Sequence, residues 1–195
     1  GAWVERARFG WVVAFSALWS LLVYVPVTRW VWGNGFLAEQ GVIDFAGGIV
    51  VHTTAGVSAL VIALMLGKRI GFPKTLMLPH SPALTVAGAG LLWVGWFGFN
   101  PGSELLADEF VSGIAVNTML AAAAGGLLTA ITITLVSGKP DLAMIGNGVL
   151  AGLVAITAPC AFVAPWAAAV IGVIAAVLAI ETVFIVERKF KIDDP

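Results

Sequence analysis

The chain has 195 residues, 60% hydrophobic and 11% charged, with a net charge of −1 and one cysteine. Soluble domains carry about a quarter of their residues charged, so this is the composition of an integral membrane protein. The balanced charge speaks against nucleic acid or another polyanion as partner, and the lone Cys160 rules out an internal disulfide framework and fits no metal-ligand spacing.

The apolar stretches are long and lack the ~10-residue alternating segments of a membrane barrel. Helices are the other way to satisfy backbone groups in lipid, so the expected fold is all-α, a polytopic transmembrane helix bundle. Six spans are read in chain order: Phe9–Thr28, Asp44–Met65, Pro82–Asn100, Glu109–Val136, Asp141–Thr157 and Ala164–Val186. The first is of span length and lacks a cleavage site, so it is not read as a signal peptide. The fifth is short and is expected to be interrupted at Gly146-Asn147-Gly148, which lipid tolerates only under cover of protein or a cavity.

Threading six spans collects Arg6, Arg8, Lys68, Arg69, Lys74, Lys139, Arg188, Lys189 and Lys191 on one side. Arg29 falls on the other, with Glu104, Asp108 and Glu109. The lysine and arginine bias marks the first side as cytoplasmic. Both ends of the sequence then face the cytoplasm, and residues 1–195 read as a single membrane domain or an excerpt from a longer one.

Within the second span, DFAGGIVVHTTAGVSALVIALML, lies His52. At ~1.5 Å per residue it sits ~12 Å past Asp44, near the middle of a ~30 Å hydrocarbon core. An ionisable residue there marks a pathway or pocket, or else is a packing histidine satisfied by a neighbouring helix. Gly48 and Gly56 at i−4 and i+4 strip its helix face of bulk. Asp44 reads as an N-cap, accepting from the amide of Gly47 or its neighbours. Glu181, inside the last span, reads as a side chain that snorkels or pairs toward the basic end.

The third span ends LLWVGWFGFNPGS, which sets Trp96, Phe99 and Ser103 on one helical face. Trp32, in the loop RWVWGNGF, falls on the same extracellular side. Aromatic faces with a hydroxyl suit a small cation through the ring quadrupole; an interfacial aromatic belt uses the same residue types. Glycines such as Gly47, Gly48, Gly88, Gly95, Gly98, Gly125 and Gly126 permit close helix contact. No HExxH, CxxC or phosphate-binding loop occurs, so neither an enzyme nor a cofactor is expected.

DFAGGIVVH, followed by GKR and the Pro79-His80 pair, then WVGWFGFNPGS, Asn117-Thr118 and a terminal KIDDP, resembles the ammonium transporter (Amt/Mep/Rh) family in its bacterial form. The resemblance runs in order along essentially the whole chain. It implies an eleven-helix fold with two inverted halves of five, of which the six spans match helices four to nine. It further implies a homotrimer with one pore per subunit, multi-pass in the bacterial inner membrane, with ammonium or ammonia as substrate and a PII-type cytoplasmic regulator.

By the same resemblance, Trp32, Phe99 and Ser103 match an extracellular ammonium-recruitment site. Phe99 matches one of two stacked gate phenylalanines, with Trp96 beside it, and Asp44 matches the aspartate that supports the site. His52 matches the first of two pore histidines. The second gate phenylalanine and second histidine belong to helices before and after this sequence, and His80 matches the cytoplasmic loop. Pro101 departs from the small residue usual there and is expected to bias Asn100 away from helical geometry, loosening the placement of Ser103. A sensor built on the same membrane domain, or a fragment without transport, are the alternatives.

Overall fold

The computed structural model describes residues 2–75, 77 and 80–193. Among these every regular element is helical. Five helical segments are long and apolar enough to cross a membrane, beginning at Phe9, Gly48, Pro82, Phe110 and Pro165. The sixth, Leu142–Thr157, is apolar but has only 16 residues. The chain divides into two compact units, residues 1–77 with 183–195, and residues 78–182.

In the first unit, α1 (Phe9–Trp19) runs through a π turn at Ser20–Tyr24 into α2 (Val25–Val31). Pro26 accounts for the widened turn. It has no amide hydrogen to give, and its ring crowds the carbonyl four residues back, so the helix opens by one residue just upstream. Helix α2 therefore continues three residues beyond the expected end at Thr28. A single turn, α3 (Phe36–Glu39), follows. The second span begins as a π segment, Gly48–Thr53, and continues as α4 (Thr54–Leu66). Its end is set at Gly67, whose φ of +74° halts the helix where a side chain would be strained.

The chain ends of this unit are tied to the foot of α4. Ala2, Ile62 and Ala63 are buried under Trp3, Phe15 and Ile192. Trp11 and Phe15, one helical turn apart, stack with ring centroids 5.1 Å apart. Asp193 is 1% exposed and accepts from the Arg69 backbone N–H at 2.7 Å and from its guanidinium at 2.8 Å. Arg6 donates to the carbonyl oxygens of Ala2, Gly67 and Asp193. Burial alone would raise the Asp193 carboxyl; the Arg69 hydrogen bonds and the charges of Arg69 and Arg6 outweigh it and hold the group below the usual range. Asp194 and Pro195, the end of the KIDDP motif, lie outside the described residues, as do Leu78 and Pro79.

The second unit contains α5 (Pro82–Phe99), a 3-10 turn at Pro101–Glu104, α6 (Phe110–Ser137), α7 (Leu142–Thr157) and all but the last two residues of α8 (Pro165–Phe184); the π segment Ile185–Lys189 that follows α8 belongs to the first unit. Helix α5 starts where Ser81 caps the amide of Leu84 and Pro82 fills the first turn. Asp141 caps α7 through the amides of Ala143 and Met144.

Helices α6, α7 and α8 approach backbone to backbone. A methyl on Gly148 would strike the Thr129 hydroxyl, and one on Gly125 the Gly148 carbonyl. A methyl on either Gly152 or Gly172 would strike the carbonyl of Ala121. The expected interruption at Gly146-Asn147-Gly148 is therefore absent: α7 is continuous there. Gly148 costs helix propensity of ~1 kcal/mol, and its bare surface admits α6 instead.

Candidate functional site

The first unit holds Trp32, Asp44 and His52 in one short stretch of backbone. Trp32 terminates α2, its amide bonding the carbonyl of Thr28 at 2.8 Å. Its indole N–H donates to the Asp44 main-chain oxygen at 2.6 Å, and the ring is 42% exposed. The buried Asp44 carboxylate accepts four consecutive amides: Gly47 at 2.9 Å and Gly48 at 2.7 Å on Oδ1, Ile49 at 2.8 Å and Val50 at 3.0 Å on Oδ2. These are the unpaired amides of a helix start, and a carboxylate there is also favoured by the helix dipole. The expected cap is present and satisfies the whole first turn.

Gly47 makes this cap possible. Its φ is +110°, and a methyl there would lie 2.7 Å from Val51 Cγ2 and 3.5 Å from the Trp32 ring. The ring thus rests over the one residue whose backbone turns the chain from the Asp44 loop into the helix. The amides of Val51 and His52 both reach back to the Gly47 carbonyl, at 2.8 and 3.0 Å. That shared acceptor opens the π segment, whose wider turn carries His52. His52 is half-buried. Because the helix begins at Gly48, His52 stands ~6 Å into it, one turn from the end where two were expected.

The second unit holds Trp96, Phe99 and Ser103. Trp96 and Phe99 have ring centroids 5.7 Å apart, and the Ser103 hydroxyl donates to the Phe99 carbonyl at 2.7 Å. The Trp96 indole N–H donates to the Thr157 hydroxyl of α7 at 3.0 Å. The three residues expected on one face are therefore joined. Asn100, expected to leave helical geometry, keeps φ −76° and ψ −63°. Its amide still bonds the Trp96 carbonyl at 2.8 Å. Pro101 is harmless because it opens the 3-10 turn, where its missing amide hydrogen has no required acceptor.

Four polar residues to which sequence reasoning gave no part in the site hold this region. Asn100 Nδ2 donates to the Thr118 hydroxyl at 3.2 Å. Asn117 Nδ2 donates to the carbonyls of Cys160 and Val163, at 2.9 and 2.8 Å, closing the turn between α7 and α8. Thr157 receives Trp96. The Oδ1 atoms of Asn100 and Asn117 are buried without a hydrogen-bond partner among the described residues. The available signal was chemical: amides inside an apolar run are costly unless bonded. Cys160 is fully buried, as a packing residue should be. His80 and Glu181 are exposed.

The chain is similar to a known group of proteins. The Ammonium Transporter Family model matches residues 1–195. The chain is 44% identical over 194 residues to an ammonium transporter of Bacillus subtilis strain 168, covering 100% of this chain and 48% of that protein. Among solved structures it resembles a sensor Amt protein with a TM-score of 0.94 and 38% identity, covering 100% of this chain and 51% of the other. It resembles Candida albicans Mep2 with a TM-score of 0.92 and 37% identity, covering 99% and 44%. The chain thus spans about half the length of the relatives it matches. It belongs to the ammonium transporter family.

Proposed function

We propose that the protein carrying this chain moves ammonium across the membrane, drawing the ion to an aromatic site and passing ammonia and a relayed proton through an apolar pore. The observation that carries this reading is the bond from the Trp32 indole to Asp44, whose carboxylate caps the helix bearing His52. It ties the candidate cation-attracting ring and the candidate proton carrier into one rigid segment. By family resemblance, the ring faces of Trp32 and Phe99 and the hydroxyl of Ser103 are each suited to replace water around ammonium. Beyond Phe99 and Trp96, an apolar lumen opposes the charged ion by several kcal/mol or more. Ammonium escapes that penalty by losing its proton, and His52 is the acid–base group that takes it up. Potassium has no proton to lose and is refused.

Assembly as a homotrimer in the bacterial inner membrane and a PII-type regulator belong to the same proposal and rest on family resemblance, while a cytoplasmic location of both ends of the sequence rests on the lysine and arginine bias. The test is current across proteoliposomes on a solid-supported membrane. Ammonium pulses are expected to evoke saturable current and potassium pulses none; equal currents for both ions, or none for ammonium, would contradict the proposal. A second reading is favoured by the likeness to a sensor Amt protein at a TM-score of 0.94: the same domain would bind ammonium and report it. Ammonium binding without any ammonium-evoked flux would favour that reading.

A further inference from the structure

A hollow lies in the first unit, beyond the ends of α4 and the π segment Ile185–Lys189, with a volume of about 510 Å³. Arg69, Lys74, Arg188 and Lys191 surround it, against one carboxylate, Glu187. With Arg69 paired to Asp193 and Glu5, the other three cations still face one carboxylate, a local excess in a chain whose net charge is −1. The ion-pair network explains how the cations come to share a hollow. Asp193 grips Arg69 at 2.8 Å and so draws the Lys191 segment against residues 67–69. Arg188 is held over the Phe184 ring at 4.6 Å. Among the described residues, Lys74, Arg188 and Lys191 are in no ion pair.

Phe72, Pro73 and Met77 form an apolar wall on the same hollow. Ile70 beside it is fully exposed and Phe190 is 61% exposed. Arg69 follows the last residue of the membrane-length segment, Leu66, by three positions. Cations and exposed apolar side chains immediately past a span are suited to the headgroup zone, where acyl chains meet phosphate.

We infer that this hollow binds the phosphate of an anionic membrane phospholipid, with Lys74, Arg188 and Lys191 as the contacting cations and Phe72 and Met77 against the glycerol and upper acyl chain. Arg69, already committed to Asp193 and Glu5, positions the wall. Inorganic phosphate offers the same charge without the apolar part, so the two sources are separable.

The test is native mass spectrometry of the protein in uncharged detergent, titrated with phosphatidylglycerol, phosphatidylcholine or inorganic phosphate. Phosphatidylglycerol is expected to bind more tightly than phosphatidylcholine. Lys74→Gln, Arg188→Gln and Lys191→Gln should each weaken it roughly fivefold, with Lys74→Arg and Lys191→Arg retaining it. Lys68→Gln with Lys139→Gln removes two charges outside the hollow and is expected to leave binding unchanged. Equal loss in that control, or no preference for phosphatidylglycerol, would overturn the assignment. Phosphate binding equal to that of the lipid and lost in the same variants would also overturn it, in favour of a soluble anion.

Discussion

Asp44 performs two tasks with two different groups: its carboxylate gathers four amides and its carbonyl receives Trp32. Asn at this position keeps the carbonyl but loses the charge and one acceptor oxygen, leaving at least one amide of the first turn unmet. Asp44→Asn is expected to destabilise the protein by about 2 kcal/mol, read as a lower thermal midpoint in detergent. A midpoint unchanged within error would show that the cap contributes nothing. Trp32→Leu removes the ring and the indole donor together. The lost cation–π attraction is worth roughly 0.5–2 kcal/mol, so half-saturation for ammonium is expected to rise from a few-fold to about thirtyfold with flux retained. Unchanged half-saturation in folded protein would count against recruitment by this ring. The Asp44 cap was legible because an acid followed by Gly-Gly and an apolar run is a helix-start pattern. The Trp32 bond was not: it crosses twelve residues and a loop, and no local pattern specifies which carbonyl an indole finds.

At the scale of elements, the spans were legible from length and hydropathy while their interior irregularities were not. The π turn at Ser20–Tyr24 answers to Pro26, a cue present in the sequence. The one at Gly48–Thr53 answers to Gly47 and its shared carbonyl, which depends on a left-handed backbone angle that no pattern announces. The opposite error occurred at α7, where Gly146-Asn147-Gly148 read as a break because glycine disfavours an isolated helix. Gly148 faces α6 at a distance only glycine permits, and tertiary contact overrides propensity. Gly148→Val is therefore expected to destabilise the bundle by roughly 1–3 kcal/mol. Gly88→Ala on α5, where a methyl meets nothing within 4 Å, serves as the neutral comparison. Equal thermal midpoints for the two variants would refute close α6–α7 packing as the reason for Gly148.

For the whole molecule, the two ends of the described chain are held by charge rather than by apolar area alone. Asp193 is held below the ordinary carboxylate range, so its stabilisation is complete above the unfolded value of about 3.9 and is lost as pH falls through the lower folded value. Asp193→Asn should destabilise the fold at pH 7 by about 3 kcal/mol or more, because Arg69 and Arg6 lose their partner, read as a lower thermal midpoint. It should also flatten the acid limb below about pH 4; an acid limb identical to that of the parent would remove Asp193 from the account. The pairing was invisible in sequence, since 124 residues separate Arg69 from Asp193, whereas family membership was legible from motifs spread along the whole chain. What His52 does was legible only as a possibility of its chemistry, an acid–base group in an apolar span. The most direct measurement is therefore the ammonium and potassium current of folded His52→Ala protein in proteoliposomes. Proton relay predicts a strongly reduced ammonium current and entry of potassium, whereas parental current and parental selectivity would contradict it and leave His52 a packing residue.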